Sequence, residues 1–579
     1  MAEAEEPGAA LASATAAVAP AIGPALLVRE ERRQRAIDPW HAGALIVAAM
    51  TVLPVLAIAW LALSPDAGIW AHLADTVLPR YLRTTLLLLL CVGLATAVLG
   101  VAAAWLVTMY RFPGRAVLAW ALALPMAVPA YILAYVYTDI LDFSGPVQTA
   151  LRGLFGWASR RDYWFPDIRS LGGAVLVMTL GLYPYVYLLA RASFAAQSAC
   201  VLEVGRTLGL GSGATFRRIA LPLARPAIVV GMTLAMMEAL GDFGTVEYFA
   251  VATLTAGVYD AWANMGSTAA AAQLSLVMLA IALVLIGAER LARRSRRFDA
   301  TSSRLKPSPV ETLRGWRGAL GSLVCTAPVV LGFVVPVLVL LAGTLASRRP
   351  IGEGMAAALG NSLMLATAAA LCAVPLGFFL AYAIRLRPSR LVIVASRLAG
   401  LGYALPGAVL AVGVFVPLAA VDTLVAGGLH REFGLSIGLL LSGSIAALTY
   451  GYTARFLALS LGSAEAGLAR IRPSMDGAAR TLGCSPGAVL RRVHLPMLRG
   501  SLIAAGLLVF VETLKELPLT ILLRPFNFET LATRLYQFAA DDRFADGADG
   551  GLLIVLAGVV PVILLGRALD FGRFGREAK

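Results

Sequence analysis

Lysine is almost missing from this chain. Lys306, Lys515 and Lys579 are the whole set, and arginine supplies the other 45 of the 48 positive charges. A GxxxxGK[ST] loop needs a glycine before its lysine, and every lysine here follows Leu or Ala. The chain therefore has no phosphate-cradling loop of that kind. The five cysteines (Cys91, Cys200, Cys325, Cys372 and Cys484) form no CxxC pair. They lie mostly in apolar or polar connecting segments, which argues against a disulfide framework and a zinc site. Four histidines spread along the chain make no metal cluster, and no metal site is assigned. Charge of either sign is scarce: 14% of residues are charged, where a soluble domain carries about a quarter.

What fills the space is apolar. Hydrophobic residues make up 59% of the 579 positions, and the mean hydropathy is +0.80. Apolar runs of membrane-spanning length recur throughout. The fold class that follows is an all-α polytopic membrane protein with about twelve transmembrane helices. The runs lie near 41–63, 84–108, 115–138, 171–193, 223–245 and 270–288. A second set lies near 319–345, 361–385, 392–418, 434–458, 499–523 and 550–566. The formal net charge of +14 does not point to nucleic acid, because the basic residues flank the apolar runs and read as topology signals.

The segments divide as a cytoplasmic disordered tail (1–40), a first six-span half (41–288), a basic cytoplasmic linker (289–318), a second six-span half (319–566) and a cytoplasmic tail (567–579). The tail opens on Glu3, Glu5 and Glu6, and its alanine-rich stretch contains Pro20 and Pro24. That pattern is unlike a signal peptide. Arg29, Arg32, Arg33 and Arg35 precede the first span, and nine Arg and Lys fill the linker region. Both signals put the termini in the cytoplasm. Loop 139–170, expected outside, breaks the pattern with four arginines, set against four aspartates.

The chain repeats itself. RTLGLGSGATFRRIALP (206–222) and RTLGCSPGAVLRRVHLP (480–496) agree at ten of seventeen positions, at a constant offset of 274. LGVAAAWL pairs with LGFFLAYA, EALGDFGT (238–245) with ETLKELPL (512–519), and TLTAGVY (253–259) with TLATRLY (530–536). ALPMAVPA (123–130) pairs with ALPGAVLA (404–411), aligning Pro125 with Pro406. An even number of spans separates matched segments, so the halves are parallel repeats about an axis along the membrane normal.

The repeated polar segment falls between the fourth and fifth spans of each half, on the cytoplasmic side. A short helix ending at Gly209 suits a left-handed cap. A second short helix follows, with Ser212 at its N-cap. It exposes Arg217 and Arg218, and Pro222 then opens the fifth span. The physics alone leaves two readings open: an amphipathic connector, or a docking surface for two copies of a partner.

These residues resemble the EAA loop of binding-protein-dependent ABC transporter permeases. The first copy matches at Glu203, Gly209, Leu221 and Pro222, and the second at Ala478, Ala479, Gly483, Leu495 and Pro496. Arg491 and Arg492 repeat the exposed arginine pair. Val204 and Gly205 replace the paired alanines in the first copy. In the second, Gly477 stands at the acid position and Asp476 comes one residue early. The fusion of two six-span halves is similar to the ferric-iron-type permeases. The resemblance implies a bacterial inner-membrane subunit with both loops set in two ATPase copies, and a periplasmic substrate-binding protein. ATP and Mg would bind the partner ATPase, with no cofactor on this chain and no nucleic acid. The lipid bilayer is its surroundings.

Four acids sit within apolar runs: Glu238 and Asp242 in the fifth span, Glu512 and Glu516 in the eleventh. A spacing of four puts each pair on one helix face. Acids in a bilayer turn toward a cavity or a partner. One reading is a ring of carboxylates lining a cation path. The other is that they cap unwound backbone at span ends or pair with Lys515 and nearby arginines. The function expected is the permease of an ATP-driven importer, with ferric iron as cargo. Thiamine or another small solute by the same mechanism is the alternative. A secondary transporter is the rival of another class, and no nucleophile–base or metal constellation supports an enzyme.

Overall fold

A computed structural model describes residues 38–63, 70, 73, 75–197, 210–294, 311–346, 353–434, 440–469 and 471–574. The described residues are mostly helical, and the strands among them are one two-residue parallel pair, Tyr110–Arg111 with Glu311–Thr312. Nine of the described helices are long and apolar enough to cross a membrane, and a pair bent by 92° makes a tenth. Two further expected spans exist as helices of different character. Ile445–Ala469 takes the place of 434–458, and its polar content, Arg455 included, is tolerated because most of its surface is buried against neighbouring helices. Ala548–Phe574 covers 550–566, with its apolar part at Ala548–Ile563.

The third span of each half is broken rather than continuous. In the first half, Arg115–Ala121 and a tight turn at Leu124–Ala127 precede Ala130–Leu141. In the second, Arg390–Ala399 and a turn at Gly400–Ala404 precede Gly407–Phe433, in place of one span at 392–418. Pro129 and Pro406 cap the second helices with nearly identical backbone angles, φ −56°, ψ 144° and φ −56°, ψ 142°. Proline disfavours the helical conformation in the residue before it. Val128 and Leu405 are accordingly extended. The structural partner of Pro406 is thus Pro129, four residues beyond the Pro125 that string matching selects.

The repeat is also visible where helices cross. A Cβ added at Gly100 would lie 2.9 Å from Tyr187 N, and one at Gly377 would lie 2.7 Å from Leu461 N. Both glycines let the second span of their half press against the fourth, whose residues 187 and 461 are 274 apart.

The first span of each half packs on the other half. Pro39–Ala62 lies against Arg390–Ala399 and Gly407–Phe433. Trp40 stacks on Phe379 at 5.2 Å, Asp38 pairs with Arg387 at 2.9 Å, and Tyr450 Oη donates to Met50 O. Reciprocally, Tyr137 Oη donates to Leu331 O at 2.6 Å and Ser322 Oγ to Pro113 O at 2.8 Å, joining Trp316–Ala346 to the first half. The strand pair belongs to this second joint, where the last described stretch of linker meets the turn after Leu78–Met109. Helix Thr268–Arg294 runs past 288 and helix Trp316–Val329 begins before 319, so the linker is shorter than 289–318. Its centre, and tail residues 1–37, lie outside the described residues.

Loop 139–170 is ordered by its own arginines. Arg152 lies 4.1 Å over the Phe143 ring and donates to Phe143 O at 2.7 Å. Arg160 pairs with Asp167, and Arg169 reaches Asp542 of the second half, each at 3.2 Å.

Candidate functional site

The second repeated loop is described in full from Ile471. Pro473–Thr481 forms its first helix, and Gly483 follows at φ +82°, donating to Arg480 O while Cys484 N donates to Ala479 O. That is the left-handed cap the glycine suits. Ser485 caps the next helix by accepting from Ala488 N at 3.3 Å. In the first copy, Glu203 and Gly209 lie outside the described residues. There Gly211, not Ser212, is the N-cap, and Ser212 Oγ instead contacts Glu311 of the linker at 3.3 Å.

In neither copy is the second helix a separate surface element. It runs unbroken into the fifth span through one π-turn, Phe216–Ala220 and Leu490–His494, at the 274 offset. The turn comes just before Leu221–Pro222 and Leu495–Pro496. Proline brings no N–H, so the wider i→i+5 bonds from Leu221 N to Phe216 O and Leu495 N to Leu490 O carry the chain through. Phe216 packs inward on Trp105 at 4.8 Å rather than facing out. Arg217, Arg218, Arg491 and Arg492 are exposed, Ala478 is exposed and Ala479 is buried. One residue of this loop missed by the sequence reading is Leu482, 84% exposed beside Gly483. A bare leucine at the tip of a charged loop was the available signal.

Asp476, one residue early by the motif, is the anchor of this loop. Its Oδ2 accepts from Arg385 Nε and NH2 at 3.1 and 3.0 Å, and its Oδ1 faces His494 Nε2 at 2.8 Å. Partial burial alone would raise its carboxyl. The His494 and Arg385 hydrogen bonds outweigh that and hold it below the ordinary carboxylate range.

The four acids converge on a cavity of about 90 Å³ between the halves, with Arg455, Lys515 and Tyr403 also in its wall. The pairs do not share a helix face, because the helices stop too soon. Leu221–Gly241 ends before Asp242, which is extended and accepts from Thr245 N at 2.7 Å. Leu495–Leu514 ends before Glu516, which accepts from Leu519 N at 3.2 Å. Each acid thus starts a short re-entrant helix, Gly244–Tyr248 or Pro518–Leu523. The turns meet face to face: a Cβ on Gly244 would sit 2.9 Å from Leu517. Fully buried Phe243, itself in the cavity wall, packs on Tyr259 at 4.5 Å and Tyr536 at 5.8 Å beyond them.

Three of the acids have side-chain partners. Glu238 accepts from Tyr403 Oη, across the halves, at 2.7 Å. Glu512 pairs with Lys515 at 2.8 Å, and Glu516 with Arg455 at 3.4 Å. Capping and pairing therefore describe three of the four, while all four still face one space. Among the described residues no group of three or more His, Cys, Asp and Glu has metal-holding geometry.

Comparison with known proteins places this architecture. Residues 96–297 match the family described as binding-protein-dependent transport system inner membrane component. The Escherichia coli molybdenum transport system permease protein ModB is 31% identical over 206 residues, 34% of this chain and 86% of its own. The chain belongs to this permease family. The Haemophilus influenzae Fe(3+)-transport system permease protein FbpB 2 is 27% identical over 494 residues, covering 84% of this chain and 89% of that one. The Escherichia coli sulfate permease CysW is 29% identical over 206 residues, 35% of this chain and 68% of its own. The permease is thus a fused two-half ABC importer subunit of the inner membrane, multi-pass, working with an ABC ATPase and a periplasmic binding protein.

Proposed function

We propose that this permease carries ferric iron, or a cation of similar hardness, released by its periplasmic binding protein. The observation that carries the reading is the buried cavity between the halves with four carboxylates in its wall. Hard cations take oxygen ligands, and a path must offer them without holding the ion tightly. Similarity to FbpB 2 along nearly the whole chain supports the same cargo. An oxyanion is the second reading, favoured by the relatives named for molybdenum and sulfate transport. Carboxylates around the cavity weigh against it.

Two ATPase copies dock on the two loops, one on each half, and bring ATP and Mg; this chain holds neither. With the loops and both termini in the cytoplasm, the side where the turns at Gly244 and Leu517 meet is periplasmic. Closure there matches a resting permease that opens outward only when loaded binding protein and ATP arrive.

Reconstitution tests the whole reading. The purified chain hydrolyses no ATP; with its ATPase and binding protein it takes up radio-iron in proteoliposomes at the expense of ATP. Uptake by the chain alone on a proton or sodium gradient would overturn it in favour of a secondary transporter. ATP-driven uptake of radiolabelled molybdate or sulfate, with none of iron, would replace the cargo.

A further inference from the structure

The two halves do not bring equal charge to the cavity. Offset by 274, the position of Lys515 is Gly241 in the first half and that of Arg455 is Gly181. Both glycines line the same cavity. The second half therefore carries two acids and two cations there, and the first half two acids and none. The hydrogen bonds to the first-half acids come from neutral donors, Glu238 from the Tyr403 hydroxyl and Asp242 from the Thr245 amide, while Arg455 and Lys515 reach Glu238 only through space. The second-half acids are matched by cations within their own half.

Arg455 is also poorly fastened. Its side chain is 10% exposed, yet Nε and NH1 make no hydrogen bond, and its tie to Glu516 is a 3.4 Å ion contact. Buried guanidinium groups normally fill their donor positions. One that does not is suited to a second position when its surroundings change.

We propose that the path is electrically one-sided: Glu238 and Asp242 take up the passing cation, while Arg455 and Lys515 are tethered counter-ions that reserve Glu516 and Glu512 until the halves move apart. The idea rests on the cavity being a cation path. A tethered cation occupies each of the second pair of carboxylates in the resting state, so an arriving ion meets two acids without an ion-pair partner rather than four. It is bound weakly enough to leave. Arg455 and Lys515 are positioning residues; they set how strongly the cavity holds the cargo.

The test uses the full chain with its ATPase and binding protein in proteoliposomes and Ga³⁺ as a redox-inert hard cation. Uptake is scored per assembled complex, so loss of folding is separated from loss of transport. Glu238→Gln lowers uptake by about tenfold or more, as expected for loss of a charged ligand, and Glu238→Asp recovers part of it. The double variant Glu512→Gln with Lys515→Gln removes a matched pair and lowers uptake less than Glu238→Gln does. Lys515→Gln alone, or Arg455→Gln alone, frees an acid. The resting complex then retains Ga³⁺ through desalting where wild type retains none, and uptake slows because release is slow. A purely structural role would not produce that retention. Equal losses in Glu238→Gln and the matched double variant, with wild-type Ga³⁺ uptake intact, would overturn the asymmetry and keep the cation path. Absence of retention in both single cation variants would overturn the counter-ion role. Molybdate or sulfate uptake by wild type with no Ga³⁺ uptake would overturn both readings.

Discussion

Arg385, at the loop end of the second half's second span, grips Asp476 of the repeated loop through two nitrogens, at 3.1 and 3.0 Å. His494, 1% exposed, closes the arrangement from the fifth span. Three elements thereby meet at one carboxylate. Asp476→Asn should cost about 1–3 kcal/mol, because partly buried Arg385 and buried His494 lose a charged acceptor.

The same carboxylate sets a pH dependence. Its folded pKa lies below the ordinary 3.8, so its contribution is full above that value and is lost as pH falls through the depressed folded value. Wild type should melt above Asp476→Asn from neutrality down to about pH 4, and the margin should be lost only below that. A margin that closes between neutrality and pH 5 would place the titrating group elsewhere.

If the ATPase docks on this loop, Leu482 and Gly483 are the residues to change. Leu482→Asp puts charge where an apolar tip would enter a groove, and it should weaken ATPase co-purification without altering the permease's own melting. Gly483→Glu adds strain at φ +82°, about 1 kcal/mol for a side chain in the left-handed region. It should both lower the melting temperature and release the ATPase. Full retention of ATPase and transport in both variants would leave these loops as connectors.

Gly377→Val should cost more than a typical surface change. Its Cβ would lie 2.7 Å from Leu461 N, so the second and fourth spans must separate. Overpacking of this kind costs about 1–3 kcal/mol. Loss of assembled complex in membranes, relative to the open site Gly360→Val, is the measurement. At Gly360 an added Cβ meets nothing within 4 Å.

Gly407→Ala probes the cavity directly. The added methyl would sit 2.6 Å from Arg455 NH1 and against Glu516. It should pry that ion pair apart and reduce transport while ATPase docking stays intact. Unchanged transport with normal assembly would show that the pair moves freely during the cycle.

The repeat, the left-handed glycine cap and the burial of the four acids could all be read from residue patterns. They depend on local chemistry: a glycine after RTL, or a carboxylate inside an apolar run. The ends of helices were harder. An i,i+4 pair says two residues share a face only if the helix persists, and nothing in EALGDFG announces that it stops at Gly241. Arg455 was lost for a related reason. With the tenth span drawn at 434–458, Arg455 sits at its edge and looks like a flanking charge. The helix actually runs Ile445–Ala469, which moves the same arginine toward its middle. The choice of packing partner was not legible either. Pro39–Ala62 is apolar on every side, and hydropathy does not tell lipid from the other half of the protein.

The exchange of first spans gives the polypeptide a history as well as a shape. Asp38 and its ion-pair partner Arg387 are separated by 349 positions. At roughly 5–20 residues per second of synthesis, the leading helix sits in the bilayer for roughly 20–70 s before the ribosome has made its seat. During that interval its Trp40 has no Phe379 to stack on, although Thr268–Arg294 of its own half is already made. Assembly therefore includes the capture of an early helix by helices made much later. Two separately expressed halves could reach the same end state, because the seat is made of surfaces rather than of chain connectivity.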